Sequence, residues 1–327
     1  MARRPRSLTG IQPSGMPHLG NLVGAMEPAI ALQDTHDSFY FIASYHALTT
    51  TRDAAVLRER QRQVAMCWLA LGLDPERTTL WRQQDVPEVC ELSWILSCFT
   101  AHGMMERAHA FKAARDAGRD VNMGTFCYPV LMAADILLFD SDVVPVGKDQ
   151  KQHVEMARDI AQAINHRYRD AVLVLPTPVV PTQEDRAAVP GLDGRKMSKS
   201  YNNHLPLFLP PKQLRKRIMR IVTDSKGVDE PKDPDSCTVF ALYKLFATAE
   251  QQADLASRYR EGGLGYGTAK QELFELLDAR LTAPRERYQA LEASPQRVDE
   301  ILAGGAGRAR EVARARLGRV RAAVGLN

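Results

Sequence analysis

The chain has 327 residues, 45% hydrophobic and 25% charged, with a net charge of +4. That composition suits a globular protein with a large core and room for two domains, and it excludes a disordered or fibrous chain. No apolar run reaches the about 18 residues of a transmembrane helix, and the basic start has no apolar leader behind it, which points to a cytoplasmic protein with no membrane partner.

Five scattered cysteines, Cys67, Cys90, Cys98, Cys127 and Cys237, form no CxxC pair. They argue against a disulfide framework or a structural zinc.

Along the chain, a short β-type run, Ser7 to Thr9, leads into a Gly/Pro-rich segment and a helix from Asn21 to about Gln33. Strand-like Phe39 to Ala43 precedes a helix from Asp53 to Leu71, and Thr79 to Trp81 precedes one from Val89 to Phe99. A helix around Phe126 to Phe139, a strand from Asp142 to Val146 and a helix from about Gln150 to Asn165 follow. This alternation predicts an α/β fold: a doubly wound, Rossmann-like parallel sheet with ligands at the carboxyl ends of its strands.

After Tyr201 the pattern becomes helical, with segments from Pro211 to Ile221, Val239 to Thr248, Thr268 to Leu281 and Gln296 to Val324. The division is expected at residues 1–204 and 205–327, with the terminal helix free to pack back on the first domain. Residues 201–327 hold 21 Lys and Arg against 16 Asp and Glu, and the first 200 hold 22 against 23. A basic second part suits a polyanion, although a solvated surface explains the charge equally well. On the last helix Val312, Leu317, Val320 and Val324 share a face apart from Arg310, Arg314 and Arg321, which favours packing over RNA binding.

Two segments carry phosphate chemistry. In Lys196-Met197-Ser198-Lys199-Ser200, two lysines alternate with hydroxyls on a Gly-flanked loop, making a cationic clamp for a polyphosphate. Upstream, Gly10, Gly15 and Gly20 let backbone approach a nucleotide closely, and His18 is a donor aimed at phosphate. The segment is not a Walker A loop, because Asn21 follows Gly20, and no GxGxxG is present. The glycines at 262, 263, 265 and 267 read as a turn.

Taken together, these segments resemble the HIGH-type and KMSKS signatures of class I aminoacyl-tRNA synthetases. His18-Leu19-Gly20-Asn21 carries Asn21 where the general pattern has a second histidine, and this feature, with the preceding GIQPSG run, resembles the tryptophanyl and tyrosyl branch. The likeness continues through residues 128–137, residues 144–153 and Val222-Thr223-Asp224-Ser225. It implies ATP contacts at Gln12, Ser14, His18, Gly20, Asn21 and Met197, with Lys196, Ser198, Lys199 and Lys112 acting on the pyrophosphate. Lys112 reads alternatively as an exposed helix lysine. The resemblance also implies Mg2+, tRNA as partner, a helical anticodon-binding domain and a homodimer.

The middle segment can be read physically. Tyr128, Met132 and Asp135 recur at i, i+4 and i+7 on one helix face, and a carboxylate in an apolar run needs a donor. Indole offers one N–H and no acceptor, so Asp135 in a pocket walled by Met132, Ile136 and Val146 suits L-tryptophan. The alternative is an Asp135 satisfied by a backbone amide or an internal arginine. Tyrosyl enzymes have a glutamine where Met132 stands, and a site built to pair a substrate polar group discriminates by about 10⁴ to 10⁵, so the expected nucleic acid is tRNA(Trp). The resemblance assigns Tyr128 and Gln150 to the α-amino group and His46 to the ligand's flank. By itself His46 reads as a satisfied loop histidine. Asp149 with His153 reads as a helix-surface pair rather than metal ligands, and no metal is expected on protein side chains. Ser44 stands where many relatives have an acid.

Two other readings stay open: a small-molecule nucleotidyltransferase of the same superfamily, and a silent synthetase-like regulator.

Overall fold

The computed structural model describes residues 3–116, 118, 121–147, 150–180 and 189–326. Five strands, β1 (Arg6–Ile11), β2 (Asp37–Ile42), β3 (Thr78–Arg82), β4 (Val143–Pro145) and β5 (Thr177–Val179), form one parallel sheet in the order β3-β2-β1-β4-β5. The order reverses between β1 and β4, which is the switch point of a doubly wound sheet. β2 explains why such a sheet must be covered on both faces: Phe39 and Phe41 pack on Trp81, while Tyr40 stacks on Trp68 at 5.4 Å between ring centroids. Gly10 of β1 has no room for a side chain, because a Cβ there would collide with the Phe41 ring.

β5 is absent from the sequence-based elements. Its Thr-Pro-Val has a proline in the middle, which a central strand would reject, but β5 is the edge of the sheet and loses nothing by it. The short helices His102–Glu106 and His109–Asp116 and the helix Ala249–Glu261 are further additions. The helix expected from Asn21 begins instead at Leu19, and its turn Leu22–Met26 is π-helical.

The chain divides into two compact units, one of Met1–Gly15, Pro28–Val180 and Leu291–Asn327, the other of Met16–Glu27 and Pro181–Ala290. This is a division by packing, distinct from the functional boundary expected after residue 204.

In the first unit the terminal helix Pro295–Val324 lies on β3. Ala306, Ala309, Ala313, Leu317 and Val320 are buried in the sheet's core, and a Cβ at Gly305 would collide with the Leu80 carbonyl. Its arginines turn back on the same unit: Arg310 and Arg314 bond Glu88, Arg321 bonds Glu91, and Arg316 pairs with Asp140. The second unit adds the helices Pro211–Ile218, Thr238–Tyr243, Ala249–Glu261 and Tyr266–Glu292. Gly262 and Gly263 hold φ of 83° and 80° in the turn between the last two. Among the described residues no helix is long and apolar enough to cross a membrane.

Candidate functional site

Chemistry-bearing side chains gather in each unit. In the first unit they stand beyond the carboxyl ends of β1, β2 and β3, where the strands hand over to loops. β2 ends at Ile42 and the short helix Ser44–Ala47 places His46; β3 ends at Arg82 and is followed by Gln83. The helix Met123–Leu137, capped by the Asn122 side chain on the Thr125 amide, carries Tyr128, Met132 and Asp135 toward them.

Asp135 is buried, with 3% of its surface exposed. Its Oδ2 accepts from His46 Nε2 at 2.9 Å and from Gln83 Nε2 at 2.9 Å, while Oδ1 accepts from the same Gln83 nitrogen at 2.8 Å. The donors foreseen for a satisfied Asp135, a backbone amide or an arginine, are therefore replaced by a carboxamide and an imidazole. Gln83 is itself fixed, because its Oε1 accepts from the Tyr45 amide at 2.9 Å. A carboxylate oxygen accepts two hydrogen bonds. Oδ2 is thus filled, and Oδ1 keeps one lone pair among the described residues. Burial pushes the Asp135 carboxyl above the ordinary carboxylate range, opposed by the contacts to His46 and Gln83.

The other expected contributors in this unit join the same group. The His46 and Tyr128 rings lie 4.3 Å apart and those of Tyr128 and His153 5.6 Å apart. His153 Nδ1 donates to Gln150 Oε1 at 3.0 Å, and Gln12 Nε2 donates to the His46 carbonyl at 3.3 Å. His153 is 1% exposed, which corrects the helix-surface pair expected for it, and Asp149 lies outside the described residues. Met132 and Val146 are half-buried against the core, Ile136 is within it, and Ser14 forms a tight turn with its amide on the Gln12 carbonyl. Lys112 is exposed on the helix His109–Asp116. Ser44 is buried, and its hydroxyl accepts from the Gln84 amide at 3.2 Å.

In the second unit His18, Gly20 and the lysine loop come together. A Cβ at Gly20 would stand only 3.0 Å from His18 Nδ1 and at an ordinary 3.7 Å from the Met197 Cβ, so glycine here makes room for the His18 ring beside the lysine loop. The carboxamide oxygen of Asn21 accepts from the His18 amide at 3.0 Å. The loop is latched by Asn203, whose Oδ1 accepts from the Ser198 amide at 2.8 Å and whose Nδ2 donates to Asp193 at 2.7 Å and to the Lys196 carbonyl at 3.2 Å. A Cβ at Gly191 would collide with Asn203, and Gly194 holds φ of 80° in the turn ahead of Lys196. Lys196 is exposed and Lys199 half-buried, while the Ser198 hydroxyl accepts from the Ser200 amide at 3.2 Å. Burial, then Lys199, then His204 lower His18 to a pKa of about 4, so its imidazole is neutral at pH 7.

Gln83 and Asn203 escaped the sequence reading. The first had a signal, its place immediately after a parallel strand; the second had none, because a buried loop asparagine resembles any other polar loop residue. Among the described residues, no cluster of three or more His, Cys, Asp or Glu could hold a metal ion.

Comparison with known proteins gives a consistent result. The profile of the class I tRNA synthetases for tryptophan and tyrosine matches residues 1–282. The chain is 53% identical to the tryptophan–tRNA ligase of Pseudomonas aeruginosa, over 98% of this chain and 74% of that one. It is 48% identical to the tryptophan–tRNA ligase of Rhodopirellula baltica, over 98% and 99% of the two chains. A crystal structure of the tryptophanyl-tRNA synthetase of Campylobacter jejuni, complexed with ADP and tryptophan, has a TM-score of 0.91 and 45% identity, over 98% of this chain and 100% of that one.

Proposed function

The chain belongs to the class I tRNA synthetases for tryptophan and tyrosine, and from that premise we infer that it is a tryptophan–tRNA ligase. It activates L-tryptophan with ATP and then charges tRNA(Trp). The observation that carries the choice of amino acid is Asp135. A buried carboxylate whose second oxygen is filled and whose first keeps one lone pair accepts a single N–H and offers a phenol no ready set of donors and acceptors. Met132 beside it adds apolar wall rather than a second polar group.

In the first step an oxygen of the tryptophan carboxylate forms a bond to the α-phosphorus as the bond to the β-phosphate oxygen breaks, and that electron pair leaves on pyrophosphate. The carboxylate is ionised at neutral pH, so no general base is required. The rate comes from positioning and from cations facing the departing charge. Lys196 and Lys199 fill that role, with the Ser198 hydroxyl, Lys112 and neutral His18 as further donors. Gln12, Ser14, Gly20, Asn21 and Met197 line the nucleotide, Tyr128 and Gln150 hold the α-amino group, and His46 flanks the ring alongside Ile136 and Val146. A Mg2+ bound to the phosphates would offset part of their charge beside Lys196 and Lys199. In the second step a ribose hydroxyl of the tRNA terminus attacks the adenylate's carbonyl carbon and AMP departs.

Residues 1–204 are assigned to catalysis and 205–327 to the anticodon, with the terminal helix buttressing the sheet. We also propose a cytoplasmic homodimer. Trp94, 73% exposed, is a large apolar side chain open to solvent, and we assign it to the face that meets a second copy. Trp94→Lys should shift the sedimentation of the protein toward the monomer; an unchanged species would remove that surface from the interface. The activity itself is tested by tryptophan-dependent exchange of pyrophosphate into ATP. Exchange that ignores tryptophan would favour a nucleotidyltransferase, and no exchange would favour a silent regulator.

A further inference from the structure

The pentapeptide from Lys196 to Ser200 is closed at its neck. Arg195, just before it, lays its guanidinium over the ring of Tyr201, just after it, at 4.7 Å from the ring centroid. The same guanidinium pairs with Asp193 at 2.6 Å, and Asp193 accepts from Asn203 at 2.7 Å. Asp193, Arg195, Tyr201 and Asn203 therefore form a ring of contacts through which the two ends of the loop meet. The Asn203 bond first, against some burial, and Arg195 after it hold the Asp193 carboxyl below the ordinary carboxylate range, so it accepts as a carboxylate at neutral pH.

Inside that ring one buried carboxamide reaches both lysine positions through backbone. Asn203 is 3% exposed, whereas Arg195, Lys196 and Ser200 are exposed. Asn202 holds φ of 50°, a left-handed turn that asparagine tolerates better than most residues, and the chain doubles back there. Asn203 then bonds the Lys196 carbonyl with its nitrogen and the Ser198 amide with its oxygen, while its own carbonyl accepts from the Leu192 amide at 2.8 Å. Lys199 follows Ser198 directly and opens the tight helical turn Lys199–Tyr201, which the Ser198 hydroxyl caps at the Ser200 amide. Met197 is buried between the two lysines, and its amide donates to the Val189 carbonyl at 2.8 Å. Bonds of this kind fix where the lysine side chains start and leave their ammonium groups outside the latch.

We propose that Asn203 is a positioning residue for the activation step: it holds the backbone of Lys196 and Lys199 in the geometry in which their side chains meet the departing pyrophosphate. This rests on the function proposed above. Cations stabilise charge that develops in the transition state only when they are already in place, because reorganisation during the reaction adds to the barrier. Loss of the latch therefore acts on the rate of adenylate formation and leaves the binding of tryptophan alone.

The test uses the full-length protein with Asn203→Ala, Asn203→Asp and Asn203→Ala combined with Lys199→Ala. N203A should slow single-turnover adenylate formation about 30-fold, with calorimetric tryptophan affinity equal to the parent's. N203D keeps the size of the residue and its acceptor for Ser198 but sets a second carboxylate against Asp193, and it should lose at least about tenfold in the same rate. In the K199A background N203A should cost less than about threefold more, because one of the two groups it places is gone. A loss that multiplies in full in the double variant would make Asn203 a structural residue and overturn the positioning role. Parental rates in N203D would overturn it even if N203A failed to fold. A parent that shows no tryptophan-dependent pyrophosphate exchange would instead overturn the proposed function.

Discussion

The two side-chain groups solve opposite problems. Around Asp135 the protein has filled almost every hydrogen-bonding position itself: three contacts from two donors hold the carboxylate, and Gln83 is held in turn by backbone. Beside the lysine loop it has left the buried Nδ1 of His18 without a hydrogen-bond partner among the described residues and has lowered that ring's pKa to about 4. The first arrangement leaves one acceptor position, which suits the single neutral N–H proposed for it. The second keeps a neutral imidazole beside a cationic loop. Selectivity is therefore expected to reside in the first group, and rate and nucleotide affinity in the second.

The sharpest way to break this contrast is Asp135→Ala. It removes the only acceptor proposed for indole and leaves Gln83 and His46 unsatisfied, so tryptophan affinity should fall by about 10² to 10³, with KM for ATP little changed. Calorimetric titration with tryptophan checks this, and equal affinity would take Asp135 out of the amino-acid site. Lys199→Ala should lower kcat for adenylate formation by about 10², with little effect on tryptophan binding. Single-turnover kinetics would show it, and an unaltered rate would leave the lysine a structural part of its loop.

Gln83→Leu should weaken tryptophan binding about tenfold, less than loss of the carboxylate itself. It also sharpens the pH argument. Burial already raises the Asp135 pKa, and in the role proposed for it the ionised form accepts the indole N–H, so tryptophan affinity should be lost as pH falls through that raised value. Removing a donor from the carboxylate raises it again, so in Q83L the loss should begin at higher pH. Tryptophan affinity measured across the acid range decides it, and coincident profiles would make Gln83 a bystander. The smallest effect should come from Ser198→Ala, about threefold in rate, because its hydroxyl already accepts from the Ser200 amide.

What was legible in the sequence follows the same contrast. Alternating strands and helices were readable because each strand's apolar run is local, and the shared face of Tyr128, Met132 and Asp135 follows from helical spacing alone. The lysine loop was readable because its charges are adjacent in the chain. Gln83 and Asn203 act through partners 52 and 5 to 10 residues away. Nothing local marks such residues. β5 was hidden by its proline, harmless only at a sheet edge, and the seating of the terminal helix depended on Gly305, whose missing Cβ acquires meaning only against the Leu80 carbonyl.

That helix has a consequence for how the protein meets a polyanion. Binding of nucleic acid gains strength by releasing the small cations condensed along the phosphates, one for each protein charge that replaces them. Arg310, Arg314, Arg316 and Arg321 already face Glu88, Asp140 and Glu91 within their own unit. They would have to abandon those carboxylates before displacing any ion. Four of the 21 Lys and Arg counted after residue 200 are thus internally spent, and the salt dependence of tRNA binding should be shallower than the arginine content of the terminal helix suggests.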